Sequence, residues 1–83
     1  MTVLSIGFRG MPVIDEVLFS SDVKAIDFLE LNFENITHVT LLDSAAEPVK
    51  CGNTAGQVAA YLQAKEDEFW FMELKTKGDN DSL

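Results

Sequence analysis

Cys51 and His38 are the only cysteine and the only histidine in the chain. Cys51 directly precedes Gly52-Asn53-Thr54, a predicted helix start. The positive end of that helix, with Lys50 alongside, would lower a thiol pKa. Such a thiol still needs a base to act as a nucleophile. His38 falls in a predicted strand, on the side shared by Ile36, Thr40 and Leu42, and no pattern in the chain places it beside Cys51. A lone cysteine outside a reactive setting behaves as a small apolar side chain, which is the role expected here. Gly52-Asn53-Thr54-Ala55-Gly56 would also present free backbone N–H groups to a phosphate or carboxylate. It lacks the lysine of a phosphate-binding loop and the spacing of a dinucleotide fingerprint, so an ordinary helix cap is the preferred reading. No His or Cys pair has ligand spacing. Asp79 and Asp81 resemble the start of a calcium loop, but no glutamate closes it. The chain therefore reads as a non-enzyme with no catalytic, cofactor-binding or metal residues. Thiol chemistry at Cys51 is the minor alternative.

Charge is the stronger signal. Fourteen acidic residues against six basic ones give a net charge of −8. Nucleic-acid backbones and anionic membranes repel such a surface, so neither is an expected partner. A protein with a basic surface is favoured, and its encounter would be accelerated. Asp22, Asp27, Glu30 and Glu34 fall in one region opposed only by Lys24. Glu66, Asp67 and Glu68 form a second cluster, and Asp43 with Glu47 a third. Gathered on one face, these acids would imitate a DNA phosphate track or meet a basic active site. Scattered, they would only keep the solvent face charged. The partner-binding residues expected from this pattern are Glu30, Glu34, Glu66, Asp67 and Glu68, with Phe69 and Phe71 as apolar anchors.

The elements that must position these residues follow from periodicity. Residues 2–8 alternate, with Leu4, Ile6 and Phe8 on one face, and predict a strand. Arg9-Gly10-Met11-Pro12 is a turn leading into a second strand over 13–19, in an antiparallel hairpin. Ser20-Ser21-Asp22 is a helix-start signal, and Val23, Ile26, Leu29 and Phe33 recur at helical spacing, predicting a helix over about 22–32. Ile36 to Asp43 is rich in β-branched residues and predicts a strand. Pro48 to Cys51 reads as a short strand, with Pro48 at a sheet edge or at the strand's start. Thr54 and Gln57 match a capping box at the start of a second helix, with Ala55, Val58, Ala59 and Leu62 along one stripe. The run Lys65-Glu66-Asp67-Glu68 is expected to end it. Glu68 to Thr76 then reads at period two as a last strand, apolar on both faces and so central in a sheet.

The predicted order is β-β-α-β-β-α-β in one α+β domain over residues 1–77, with a polar, frayed tail over 78–83. The expected architecture is a two-layer sandwich: a mostly antiparallel sheet with helices on one face. Ferredoxin-like and β-grasp-like topologies both satisfy that order. At 83 residues, 47% apolar and 10% aromatic, the chain can bury a core without a metal or disulfide staple. The start lacks a signal-peptide pattern, and no stretch approaches the roughly 18 apolar residues of a membrane span. A cytoplasmic location is expected. In size and acidity, with no matched motif, the chain is similar to immunity proteins, antitoxins and phage-encoded inhibitors. That likeness implies a small inhibitor of a nucleic-acid-handling enzyme. The alternative expectation is a homodimeric regulatory or small-anion-binding domain.

Overall fold

The computed structural model describes the backbone of residues 1–81 and the side chains of residues 1–69. The chain runs β1 (Thr2–Phe8), β2 (Ile14–Phe19), α1 (Asp22–Leu31), a 3-10 turn (Phe33–Asn35), β3 (Ile36–Leu42) and α2 (Ala55–Asp81). The strands form an antiparallel sheet in the order β2-β1-β3. The predicted hairpin forms, with Gly10 at φ 80° in its turn. Only glycine takes that left-handed conformation without strain.

Alternation along β1 divides the sheet into two unlike faces. Leu4 lies between Val17 and Leu41, and Ile6 lies opposite Val39, on the face that the helices cover. Ala25, Ile26 and Leu29 of α1 join Ala55, Val58 and Leu62 of α2 in the same core cluster. Phe28 extends it at one end, edge-on to Phe8 with ring centroids 6.2 Å apart and tilted against Phe19 at 5.4 Å. Val3, Leu18 and Leu42 lie on the other face, where no helix packs among the described residues. The fold is thus α+β with two helices on one side of a three-stranded sheet.

Both helices begin at the residues that can cap them. Ser21 Oγ accepts from the Lys24 N–H at 3.3 Å. At α2 the Gln57 N–H donates to Thr54 Oγ1 at 3.1 Å, and Gln57 Oε1 accepts from the Asn53 and Thr54 N–H groups. Asn32 ends α1 by donating from both its backbone and its side chain to the Phe28 carbonyl.

Two predicted strands do not form, so neither five-strand topology is realised. Pro48 to Cys51 makes a single bridge, Leu42 to Pro48, beside one Val49 N–H to Leu41 O bond of 2.8 Å. Pro48 has no N–H with which to extend the ladder. Glu68 to Thr76, expected as the central strand, lies within α2. No Gly or Pro falls between Gln57 and Lys77, and the charged run Lys65 to Glu68 consists mainly of good helix formers rather than breakers. The helix therefore continues through it. The residues expected to form a frayed tail fall partly within α2 and partly, at 82–83, outside the described residues.

Placing Phe69 on a helix rather than in a central strand has a direct consequence. Phe69 is 65% exposed, whereas Leu62 is fully buried. Leu62→Ala should lower unfolding free energy in denaturant titrations by about 2–5 kcal/mol. Phe69→Ala should change it by no more than about 0.5 kcal/mol. A large loss at Phe69 would restore the buried-strand reading.

Candidate functional site

The core phase of α1 decides what the helix shows to solvent. With Ala25, Ile26 and Leu29 turned inward, the outer side carries Val23, Lys24, Asp27, Glu30 and Leu31, all exposed. The 3-10 turn adds Phe33 and Glu34 at the same end. Leu31 is 84% exposed and Phe33 58%. Apolar and acidic side chains are therefore interspersed along one surface from Val23 to Glu34, with Lys24 as the one base of α1 among them.

Beside this surface a shallow groove of about 370 Å³ runs between the end of α1 and the start of α2. Leu29, Glu30 and Phe33 line one side, and Gly56, Ala59 and Ala60 the other. The small residues of α2 leave the groove open. A Cβ built on Gly56 would meet the Phe33 ring at 3.6 Å, an ordinary contact.

The helices are antiparallel. The start of α2 lies by Phe33, while Lys65 reaches Asp22 at the start of α1, its Nζ 4.0 Å from the carboxylate. Lys65 also lies 5.9 Å from the Tyr61 ring centroid. The Asp22 carboxylate accepts from the Thr2 hydroxyl as well. This is the only ion pair among the described residues. Among the described residues no cation lies within ion-pair distance of Asp27, Glu30 or Glu34, although Lys24 is exposed on the same helix and Arg9 lines the same depression as Glu34.

The structure divides the sequence-predicted residues between two places. Glu30 lines the groove, and Glu34 lies in the neighbouring depression that Phe33 shares with Arg9 and Thr54. Glu66, Asp67 and Glu68 lie past the other end of α1, a helix of ten residues that spans about 15 Å. Glu66 is half-buried, and Asp67 and Glu68 are exposed. Gln63 Nε2 donates to Asp67 Oδ1 at 3.1 Å. Phe69 belongs with this second group, and the Phe71 side chain lies outside the described residues. Sequence periodicity misses Val23 and Phe33 as surface residues because both fit the helical stripe of the core. The signal that could have found Phe33 is Asn32, which ends the helix and breaks its phase.

The other candidates close on themselves. Gln57 Oε1 fills the Gly52–Gly56 turn, where an anion would have had to sit. Gly52 has φ 100°, and a Cβ there would fall 2.5 Å from Gln57 Oε1. His38 Nδ1 lies 3.2 Å from Thr37 Oγ1, and its ring covers Gly7 on the uncovered sheet face. Cys51 packs half-buried against the core, and burial pushes its thiol pKa up. No group of three or more metal-ligating side chains comes together among the described residues. No known protein family, curated protein or solved structure matches the chain.

Two outcomes follow. Gly52→Ala should destabilise the fold by about 1–3 kcal/mol, because alanine must adopt a left-handed conformation against Gln57. Because burial favours the protonated thiol, the iodoacetamide alkylation rate of Cys51 should rise with pH about a midpoint above that of an ordinary free thiol. Rapid alkylation at pH 7 would contradict that environment.

Proposed function

We propose that this chain is a small, acidic, non-enzymatic binding protein that docks on the basic surface of another protein and inhibits or neutralises it. The partner envisaged is a nucleic-acid-handling enzyme, as for an immunity protein, antitoxin or phage inhibitor. The observation that carries this reading is the outer face of α1. There Asp27, Glu30 and Glu34 form no ion pair among the described residues and lie among the exposed Val23, Leu31 and Phe33.

The two kinds of side chain have separate tasks. Unpaired acids attract a cationic surface over distance and raise the association rate. They are too exposed to hold a complex together alone, since exposed ion pairs contribute little. Residence comes from apolar side chains that lose their water on contact. Phe33 and Leu31, next to a groove, are suited to anchor a partner side chain. The net charge of −8 supports a protein partner over a phosphate backbone. Lone Cys51 is compatible with a reducing compartment.

The test compares two baits in extracts of the native cell or host: the natural chain and Asp27→Asn/Glu30→Gln/Glu34→Gln. The natural chain should retain a basic protein that elutes as salt is raised. The triple variant should retain it at least about tenfold less well, mainly through slower association. Equal retention by both baits would rule out this face.

A further inference from the structure

The two edges of the sheet are treated differently. The outer edge of β3 is closed by the segment that follows it. The Val39 N–H donates to Asn53 O at 2.9 Å, the Asp43 N–H to Glu47 O at 2.9 Å, and the Val49 N–H to Leu41 O at 2.8 Å. β2 pairs only with β1, and no backbone group among the described residues bonds to its outer side. Natural sheets blunt such an edge with charged side chains, lysine above all, or with proline, a bulge or a very short strand. β2 has no lysine, proline or bulge; its only charges are Asp15 and Glu16, which disfavour an anionic strand and leave the edge open to a cationic one. Its sequence is Ile-Asp-Glu-Val-Leu-Phe, in unbroken register with β1 over all six residues.

The side chains of this edge specify what could pair with it. Ile14 and Leu18 are exposed on the uncovered sheet face, and Glu16 lies between them. Asp15, also exposed, points to the other face. Neither carboxylate has an ion-pair partner among the described residues. A second copy of the chain is a poor match. A two-fold antiparallel pairing that sets Ile14 against the other copy's Leu18 also sets Glu16 against its own counterpart. Like charges directly opposed across a ladder are destabilising.

We propose that β2 is a docking edge for an extended, cationic segment of a partner protein, which adds as a fourth strand. Backbone hydrogen bonds supply the pairing, and alternate side chains supply the selectivity. Opposite Leu18, Glu16 and Ile14 the segment carries an apolar residue, a Lys or Arg, and an apolar residue. A second cation faces Asp15. This site lies on the sheet edge and is independent of the α1 face.

The probe is a capped peptide, Thr-Val-Thr-Lys-Lys-Val-Thr, titrated into the isotope-labelled full chain and followed by amide shifts. Saturable shifts should centre on Ile14–Phe19. They should disappear when both lysines are replaced by glutamate, and when alternate peptide nitrogens that would donate to the edge are methylated. Glu16→Lys should weaken the peptide at least tenfold, while Asp27→Asn/Glu30→Gln/Glu34→Gln should leave its affinity unchanged. Absence of saturable shifts in β2 would overturn the proposal, as would equal binding of the methylated peptide or shifts confined to α1. A free chain that sediments as a dimer with its β2 amides protected would overturn it in favour of a second copy.

Discussion

The structure depends on a core built on one side of the sheet. Leu4 and Ile6 in β1, with Val39 and Leu41 in β3, present a single apolar layer, and α1 and α2 cover it. Three strands and two helices leave no second layer for the opposite face. The acids of α1 are outward because Ala25, Ile26 and Leu29 must be inward. Val3, Leu18 and Leu42 lie on the opposite face, which neither α1 nor α2 covers. Both proposed binding surfaces are thus consequences of one packing decision: the outer side of the helix layer, and the sheet edge that has no neighbour.

Helix caps convert this packing into a defined position for the groove. Asn32 halts α1 at the turn where Phe33 leaves the core phase. The Thr54–Gln57 box fixes where α2 begins, and so places Gly56 and Ala60 opposite Phe33. The box also occupies the backbone donors that an anion would have needed. The same residues that read as a ligand cradle serve to start the helix.

Local chemistry makes much of the fold legible in the sequence. Alternation marks β1, turn residues mark the hairpin, and β-branched residues mark β3. Ser21 and the Thr54–Gln57 box mark both helix starts. The last third of the chain is misread because Phe69 to Leu74 is apolar at every position but Glu73, which satisfies period two as readily as a helix. What decides it is the unbroken run of residues from Gln57 to Lys77 without Gly or Pro. Of the candidate site, the acids Glu30 and Glu34 are legible from charge alone. Phe33 is not, because its spacing from Leu29 fits the core, and only the end of α1 at Asn32 releases it. The separation of Glu66, Asp67 and Glu68 from Glu30 and Glu34 depends on the antiparallel packing of the helices, a long-range fact that no local pattern contains.

The central claim is that the outer face of α1 meets a basic partner. Hydrogen–deuterium exchange of the chain, alone and saturated with its captured partner, tests it most directly. The account predicts new protection concentrated between Val23 and Glu34 and at the start of α2 around Gly56–Ala60. Unchanged exchange across those residues, with protection appearing elsewhere, would contradict it.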